Sequence, residues 1–444
     1  MSAVAAGAPA VSLTGVEQHL LARWPETRMD PTLDRVALLL GLLGRPETEF
    51  RSIHLTGTNG KTSTARMVEA LLAASRSRTG RFTSPHLESI RERISLEQRP
   101  IDVPRFLRSY QAVAEQAALV DAVSTHPVSF FEMTVAMAYH AFADHRVDAA
   151  VVEVGMGGRW DATNVIHAEV AAILPVALDH TDYLGPTVEA IAAEKAGIIK
   201  RGAVAVSARQ PDEVAAVLRA RADAVGADLR VEGRDFAVGR RSPTARGQLV
   251  SFRGLHRTYD DVPLAVHGEH QAQNAAVAIA SVEAFLGGPL DVDLVRRALR
   301  QVTSPGRFEI RAGSPRVVLD VAHNPHGARA LARNLAEHGP GRTIAVLAVM
   351  GDKDVAGVLR ELETVVDTVV CARNSSPRSL PAEELAARAT DVFGASRVRR
   401  ATDVPSGLAA ARALADTGPG STDVVLVTGS VVTVGDACSV PTDC

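Results

Sequence analysis

Short apolar segments alternate with segments of helical periodicity along most of this chain, and this alternation is the strongest constraint on its fold. Buried strands are predicted at 148–155 (DAAVVEVG) and 169–176 (EVAAILPV), and a core helix at 130–145 (FFEMTVAMAYHAFADH). A second series starts at 316–325 (RVVLDVAHNP) and ends with 423–430 (DVVLVTGS). Strands that alternate with helices stack into parallel sheets, so the sequence predicts an α/β protein with two such units.

The length of the chain and a turn between the two series indicate where the units divide. At 444 residues the chain exceeds the size at which a single hydrophobic core keeps growing. The segment 291–310 (DVDLVRRALRQVTSPGRFEI) predicts a helix that closes into a Ser-Pro-Gly turn. We therefore expect an N-terminal domain at 1–303 and a C-terminal domain at 304–444, with a small antiparallel insertion at about 231–263.

Charge and composition argue against several classes of protein. The balance of 48 basic and 51 acidic residues, net −3, predicts no nucleic-acid or membrane partner. No apolar run approaches the ~18 residues that a membrane span needs. The first basic residue is Arg23, so the N-terminus lacks the charged region of a secretory signal. The three cysteines form no CxxC pair, which argues against a zinc site or a disulfide framework, and we expect a monomeric cytoplasmic protein.

The segment GTNGKTST (57–64) follows a predicted strand and opens a predicted helix. The usual phosphate-loop pattern G-x-x-x-x-G-K-[ST] requires a glycine where this chain has Leu55. The context nevertheless favours phosphate binding, because glycines let the backbone wrap an anion and a helix N-terminus attracts one. Lys61 would reach the β and γ phosphates, and Thr62 or Ser63 would approach Mg²⁺. The alternative is a tight strand-to-helix turn with a solvated lysine.

Acidic residues and a histidine follow other predicted strands of the first series. Glu153, in VVEVGMGG, is a candidate metal ligand, because open α/β sheets bind ligands at the carboxyl ends of their strands. Its alternative role is to cap a loop. The same glycines do not form a dinucleotide fingerprint, since Trp160 stands where the third glycine is required. His180, in LDHTDYLG, is a loop hydrogen-bonding residue on spacing alone, because Mg²⁺ prefers oxygen ligands.

The second series has its own candidates at a strand end. Asp320 and His323, in VLDVAHNPHG, come directly after a predicted strand. An acid at this position in a second domain is suited to close over a nucleotide held by the first. Lys195, in EKAGIIK, is on residue type alone a cation on a helix face.

Eight of these segments together resemble, in order and spacing, the folylpolyglutamate synthase and dihydrofolate synthase family, a branch of the Mur-type ATP-dependent amide ligases. The resemblance covers about residues 28 to 435, and the joint occurrence is far more specific than any one motif. Mur-type loops read GTNGK[GT], which accounts for the glycine missing at position 55. The segments are GTNGKTS, FTSPHL, SFFEMT, EVGMGGRWDATN, LDHTDYLG, EKAGIIK, GRFE and LDVAHNPHG.

The resemblance implies an N-terminal P-loop ATPase domain with a mostly parallel sheet, a C-terminal Rossmann-like domain, and ATP with Mg²⁺ in the cleft between them. It implies that the catalytic residues are Lys61, Lys195, carried as a carbamate, and His323, which lies beside the nucleotide. The implied metal ligands are Ser84, Glu153 and His180. The implied ATP contacts are Asn59, Gly60, Lys61, Thr62, Ser63, Asn274, Arg307 and Asp320.

The resemblance also implies a pterin site. An aromatic pair beside a helix is more often part of a core than a ligand platform, so this site rests on the resemblance. The implied contacts are Met29, Asp30, Phe130, Phe131, Glu132, Trp160, Asp161 and Ala162.

The implied reaction is ATP-dependent activation of a carboxylate as an acyl phosphate, followed by attack of the amino group of L-glutamate. The implied acceptors are dihydropteroate and the γ-carboxylate of reduced folates, and a bifunctional enzyme is favoured. The alternatives are a monofunctional folylpolyglutamate synthase and a non-catalytic nucleotide-binding regulatory protein of the same fold. A cell-wall Mur ligase is disfavoured, because only 56 residues precede Gly57 and such an enzyme needs a further N-terminal domain.

Overall fold

The structure, a computed structural model, describes residues 12–25, 31–338, 341–415, 418 and 421–439. Two large sheets and one small sheet organise this part of the chain, and helices cover the large sheets. The α/β fold with a mostly parallel sheet and a second α/β unit is thereby confirmed. Within the described residues, no helix is both long enough and apolar enough to span a membrane.

The first sheet has eight strands in the order β4-β3-β2-β5-β1-β6-β7-β8. Strands β2 and β5 to β8 run parallel to β1, while β3 and β4 form an antiparallel edge. The predicted strands at 148–155 and 169–176 are β5 and β6. The strands are β1 (Arg51–Thr56), β2 (Thr79–Phe82), β3 (Ile94–Leu96), β4 (Arg99–Pro100), β5 (Ala149–Glu153), β6 (Val170–Ile173), β7 (Val204–Ser207) and β8 (Asp228–Val231).

Ten helices of the described chain precede or pack on the first sheet. Apolar side chains of α3, α9 and α10 pack on one of its faces, and those of α1, α2, α4 and α5 pack on the other. The helices are α1 (Leu13–Leu21), α2 (Asp34–Leu42), α3 (Lys61–Ala74), α4 (Val103–Val123), α5 (Phe130–Asp144), α6 (Thr181–Leu184), α7 (Val188–Lys195), α8 (Asp212–Val225), α9 (Glu269–Leu286) and α10 (Val292–Gln301).

A three-stranded antiparallel sheet occupies the segment for which an insertion is expected, which confirms that prediction. Its buried aromatic residues join the core under α9 and α10. The strands are β9 (Ala237–Thr244), β10 (Gly247–Arg253) and β11 (Thr258–Leu264).

The second large sheet has six strands in the order β12-β13-β17-β14-β15-β16, all parallel except β12. Sequence reasoning did not single out β12 and β16, which are edge strands of three residues each. The strands are β12 (Glu309–Arg311), β13 (Arg316–Leu319), β14 (Thr343–Leu347), β15 (Thr368–Cys371), β16 (Val398–Arg400) and β17 (Val424–Thr428). The helices are α11 (Pro325–Glu337), α12 (Val355–Leu362), α13 (Ala382–Phe393), α14 (Val404–Leu414) and α15 (Val431–Cys438).

We call the parts of the molecule built on the two large sheets the first and second lobes. The chain passes from one to the other at 302–306, next to a hydrogen bond between the hydroxyls of Ser63 and Ser304 (2.8 Å). A separate contact joins the small sheet to the end of α11, where Arg241 donates to Glu337 (2.9 Å). Beside it, the ring nitrogens His267 Nδ1 and His338 Nε2 lie 3.0 Å apart.

Candidate active site between the two lobes

The segment GTNGKTST forms a tight loop between β1 and α3. Gly57 and Gly60 have φ values of +149° and +89°, which residues with a side chain rarely adopt. A Cβ atom would lie 2.5 Å from Leu174 Cβ at the first position and 2.5 Å from Asn274 Oδ1 at the second. Leu55, where the longer pattern requires a glycine, is a buried residue within β1 that pairs with Glu153. The loop is therefore short because the strand continues to Thr56.

The Lys61 side chain folds back over this loop. Its Nζ donates to the carbonyl oxygens of Gly57 (3.0 Å) and Thr58 (3.4 Å). Burial lowers the pKa of Lys61, although Glu153 and Asp179 oppose the shift. Within the described residues, Lys61 forms no ion pair with a carboxylate. Its charge is thus available to an anion in the loop.

Glu153 ends β5 beside the first turn of α3 and is 1% exposed. The Thr62 hydroxyl lies 3.0 Å from each of its carboxylate oxygens, and the Ser84 backbone also donates to it. Burial raises the pKa of Glu153, while Lys61 and Arg307 lower it. The structure therefore brings Thr62 and Ser84 to Glu153, while the metal site implied for Ser84, Glu153 and His180 stays a prediction.

The oxygen atoms at Thr62 and Glu153 are of the type that Mg²⁺ prefers. No three side chains of His, Cys, Asp or Glu in the described chain lie close enough to hold a metal by themselves. The residues therefore fit a cation that takes its other ligands from phosphate and water, which is how Mg²⁺ is usually bound.

His180 lies beside Asp179 in the same cleft, close enough to Lys61 for the charge of this lysine to act on it. It has a φ of +52° at the start of α6, and its Nε2 is 4.0 Å from Asp179 Oδ2. Burial lowers the pKa of His180 to about 4, so the imidazole is neutral at pH 7 and retains a lone pair. Among the described residues, no hydrogen bond links it to Glu153.

Lys195, the last residue of α7, is buried beside the same loop. Its Nζ donates to the Gly57 carbonyl oxygen at 2.9 Å, so two lysine amines share one acceptor. Burial, and after it the charge of Lys61, lower the pKa of Lys195 to about 7. A large fraction of this amine is therefore neutral near pH 7, unlike a lysine on a helix surface.

The second lobe contributes Arg307 and Asp320. Arg307 lies 3.4 Å from the Thr62 hydroxyl, measured from its Nη2 atom. Asp320 accepts hydrogen bonds from the backbone of Phe308 (2.8 Å) and Ala322 (2.8 Å). Burial raises the pKa of Asp320 to about 6. Its side chain thus holds two cleft loops of the second lobe together in addition to any ligand contact.

Asp179 is a centre of contacts that the sequence reasoning did not assign to the site. It accepts from Lys353 (2.7 Å) and Asn324 (2.9 Å), and its carboxylate lies 3.5 Å from His323 Nε2. Burial alone raises the pKa of Asp179, but His323, His180 and Lys353 hold it far below its ordinary value. One carboxylate of the first lobe therefore binds three side chains of the second.

Two expected ATP contacts lie at the loop itself. Asn59 Nδ2 is 3.1 Å from Asn324 Oδ1 and 2.9 Å from His326 Nδ1. Asn274, on α9, donates to Gln271 at 3.1 Å, and its amide lies against Gly60. The phosphate loop is thus contacted by both lobes.

Several residues expected to contact the pterin pack against neighbouring residues, cap a helix or hold a turn in this structure. Phe131 lies against Gly155, where a Cβ atom would come within 2.6 Å of the ring. Glu132 caps the start of α5 and pairs with Arg35 at 3.2 Å. Asp161 accepts from the backbone of Met156 (2.9 Å) and so holds the EVGMGG turn.

The remaining pterin candidates are placed as follows. Phe130 lies under the guanidinium of Arg93, 4.8 Å from ring centre to Cζ. Trp160 is partly buried, and Ala162 is buried at the start of a short 3₁₀ helix. Met29 and Asp30 lie outside the described residues.

A cavity of about 600 Å³ opens between the two lobes beside these residues. Its first-lobe wall comes from the segment 85–88, Arg93 and Phe130, and its second-lobe wall from α15. The lining segment 85–88 begins directly after Ser84, whose backbone N–H donates to Glu153.

Comparison with known proteins decides the family. Residues 55–282 match the Mur ligase middle domain, and residues 306–431 match the glutamate ligase domain of Mur ligases. A protein of Mycobacterium tuberculosis named dihydrofolate synthase/folylpolyglutamate synthase is 48% identical over 96% of this chain and 93% of its own length. The chain belongs to the folylpolyglutamate synthase and dihydrofolate synthase family. The family and the ligase class predicted from the motifs are confirmed.

Solved structures of this family have the same fold. M. tuberculosis folylpolyglutamate synthase complexed with ADP and AMPPCP superposes with a TM-score of 0.91 at 48% identity, covering 96% of this chain and 97% of that one. E. coli FolC in complex with DHPP and ADP gives 0.84 at 32% identity, covering 95% of each chain.

Proposed function

We propose that this folylpolyglutamate synthase and dihydrofolate synthase family member uses ATP to join L-glutamate to dihydropteroate and to the γ-carboxylate of reduced folates. The observation that carries the proposal is the group of Lys61, Lys195, Thr62 and Glu153 around one glycine loop, facing residues of the second lobe. Near relatives carry both activities in their names, and E. coli FolC has been solved with DHPP and ADP.

ATP is held, in this proposal, by the glycine loop. The backbone N–H groups at the start of α3 and the ammonium of Lys61 bind its phosphates, and Thr62 with Glu153 hold Mg²⁺. Bound Mg²⁺ supplies positive charge that offsets the charge developing on the transferred phosphoryl group. Asn59, Ser63, Asn274, Arg307 and Asp320 complete the nucleotide contacts, and Ser84 and His180 complete the metal site.

The reaction needs no nucleophile from the protein. The substrate carboxylate oxygen attacks the γ-phosphorus, the bond to the ADP oxygen breaks, and an acyl phosphate forms. The amino group of L-glutamate then attacks the acyl carbon, phosphate leaves and the amine loses a proton. Cationic residues around the loop, Lys61 and Arg307, favour both steps because each passes through a state with more concentrated negative charge.

Lys195 acts in its carbamate form in this proposal. The neutral amine adds CO₂ to form an N–C bond and releases one proton, which leaves a carboxylate on the nitrogen. The low pKa of Lys195, about 7, favours this step because only the neutral amine reacts. The product is an anion beside Lys61 that accepts hydrogen bonds and attracts cations.

The acid substrate lies in the cavity between the lobes. Phe130, Phe131 and the turn from Trp160 to Ala162 form the pterin side, together with Glu132, Met29 and Asp30. Reaction requires the lobes to meet, because His323 and Asp320 come from the second lobe while the phosphate loop comes from the first. A closed cleft also keeps water from the acyl phosphate. We further propose domains at 1–303 and 304–444, a monomer, and a cytoplasmic location.

The test is an assay of purified protein with ATP, Mg²⁺ and L-glutamate, in which dihydropteroate and tetrahydrofolate are offered separately. We expect ADP release that depends on glutamate and on either acceptor, with each product heavier by one glutamyl unit in mass spectrometry. Activity with tetrahydrofolate alone would support the monofunctional alternative. Binding of AMPPCP without ADP release under any condition would support a regulatory protein.

A further inference from the structure

A row of polar residues runs along one side of α3, beneath the loop between the lobes. Thr62, Arg66 and Glu69 follow each other at helical spacings of four and three, so they lie on one face. Thr62 donates to Glu153 at 3.0 Å. Glu69 accepts from Arg81 at 2.7 Å and from Ser95 at 2.9 Å.

Arg66 differs from its neighbours in this row. It is partly buried, yet within the part of the chain that the structure describes it donates no hydrogen bond and forms no ion pair. Partly buried guanidinium groups normally have several acceptors, since Arg carries five N–H donors. The missing acceptor therefore requires an explanation.

The nearby carboxylates are already occupied. Glu69 is bound by Arg81 and Ser95, and Glu92 accepts the backbone N–H groups of Leu87, Glu88 and Ser89 at 2.8 to 3.0 Å. Arg66 also faces two other guanidinium groups, those of Arg81 and Arg307. Burial first, and these two charges after it, lower the pKa of Arg66 to about 10, so it remains a cation at neutral pH. The local balance of charge favours an additional anion.

Arg66 lies on the helix that begins at the phosphate loop, and its surroundings connect this helix to the segment that lines the cavity. On its own helix, Thr62 contacts Arg307 (3.4 Å) and Ser63 contacts Ser304 (2.8 Å), so this face of α3 borders the turn at 304–307. Glu92, whose charge acts on Arg66, lies in the segment 84–93, of which residues 85–88 and Arg93 line the cavity. The same segment reaches the turn, since a Cβ atom at Gly306 would lie 3.7 Å from Leu87 Cδ1.

We propose that Arg66 binds a carboxylate of the acid substrates that enter the cavity, beside Arg307. The inference rests on the proposed function, because it takes glutamate and folates as the ligands. A carboxylate suits the position better than a phosphate of the nucleotide. Arg66 starts five residues, or roughly 7 Å, further along the helix than Lys61, where the loop already collects phosphate. A guanidinium fork also matches the two oxygens of a carboxylate.

The test compares Arg66→Gln and Arg66→Lys with a matched control, Arg219→Gln. Arg219 is an exposed arginine on α8 with no hydrogen bond or ion pair to a described residue. We expect Arg66→Gln to raise the KM for L-glutamate or for the folate acceptor roughly tenfold, with kcat changed less than threefold, since a charged hydrogen-bond pair is lost. Arg66→Lys keeps the positive charge but loses the forked guanidinium group, so its KM should lie between those of wild type and Arg66→Gln. AMPPCP affinity, measured by calorimetry, should not change.

The two acid substrates are separate arms of this experiment. A rise in the KM for L-glutamate alone assigns Arg66 to the incoming amino acid, and a rise for the acceptor alone assigns it to the folate tail. Unchanged KM values for both acids, or a loss of AMPPCP affinity equal to the rise in KM, would overturn the inference. If Arg66→Gln does not fold, Arg66→Lys with wild-type KM values for both acids overturns it.

The control proteins separate this inference from the proposed function. If wild type and Arg219→Gln release no ADP with glutamate, the proposed function fails, whatever the Arg66 variants do. Thermal shift by dihydropteroate and by L-glutamate then still tests Arg66. We expect the thermal shift produced by at least one of the two ligands to be smaller for Arg66→Gln than for wild type. If both ligands shift Arg66→Gln as much as wild type, the carboxylate site is rejected.

Discussion

The two walls of the cleft use their lysines differently. On the first lobe, Lys61 and Lys195 donate to the carbonyl of Gly57, and neither forms an ion pair within the described residues. On the second lobe, Lys353 is neutralised by Asp179 at 2.7 Å. The first pair is thus available to a ligand, whereas the third lysine connects the lobes. A lysine without a carboxylate partner can act on a ligand, whereas a lysine paired with a carboxylate helps to assemble the site.

The largest expected effect is that of Lys61→Ala, which removes an unpaired charge from the loop. We expect ADP release to fall about 10²- to 10³-fold, as when a group that stabilises developing charge is removed. Steady-state kinetics with both acceptors measures this. Lys200→Ala is the control, because Lys200 also donates to two carbonyls, those of Asn164 and Ile166. Wild-type turnover of Lys61→Ala would remove this lysine from the mechanism.

Lys195→Ala should lower kcat about 10- to 100-fold, since it removes the proposed carbamate, an anion that attracts the metal cation. Short carboxylic acids should restore part of the activity, because they place a carboxylate in the space left by the side chain. The same acids should not restore Lys61→Ala. Full activity of Lys195→Ala without added acid would exclude the carbamate.

The pH dependence of the wild type tests the same lysine. Because burial lowers the pKa of Lys195 to about 7, the neutral amine increases as the pH rises through 7 and is lost below it. We therefore expect added bicarbonate to stimulate activity at pH 8 and to have little effect at pH 6. Stimulation that is equal at both values would contradict the assignment.

A double-mutant cycle between Asp179→Asn and Lys353→Met tests the ion pair that joins the two lobes. The contact is largely buried, with side chains 8% and 10% exposed, so a coupling of about 0.5–3 kcal/mol in kcat/KM for ATP is expected. Each single change should cost at least as much as this coupling, because either one removes the same contact. Additive effects would mean that this pair does not help the lobes to meet. Arg240 and Asp261, an exposed pair on the small sheet, provide a matched cycle in which no coupling is expected.

The smallest effect is expected for Phe131→Ala, at the acceptor side. We expect the KM for dihydropteroate to rise roughly fivefold while the KM for ATP stays constant, since the ring that we propose as a pterin contact is lost. Phe142→Leu is at a fully buried position of the same helix. It should change the melting temperature rather than either KM value. Equal changes in both KM values for Phe131→Ala would count against a pterin contact.

The fold and the loop side of the site were accessible from the sequence because their signals are local. Strand, glycine turn and helix follow each other within residues 51 to 74, so their order alone places Lys61 and Thr62 at the carboxyl end of β1. Glu153 ends a second predicted strand, and the parallel pairing of the two strands brings it to the same end of the sheet. The edge strands β12 and β16 carry little signal, because three residues show no periodicity.

The contacts of the opposite wall were not accessible in the same way. Asp179 and Lys353 are 174 positions apart, and nothing in either segment specifies the other as its partner. The absence of an acceptor at Arg66 is likewise a property of the packed molecule. Glu132 and Asp161 have roles in the fold, as a helix cap and a turn anchor, that compete with their implied roles as ligand contacts.

Besides the cleft contacts of Asp179 and Asn59, the lobes are joined where the chain crosses near Ser304 and where the small sheet meets the end of α11. When the cleft contacts break and the other two hold, the motion that remains between two rigid lobes is a rotation about the line through those two contacts. The distance between β1 and β13 then describes the whole motion. A single pair of fluorescent labels, with one label on each lobe, is then enough to measure how far the cleft is open.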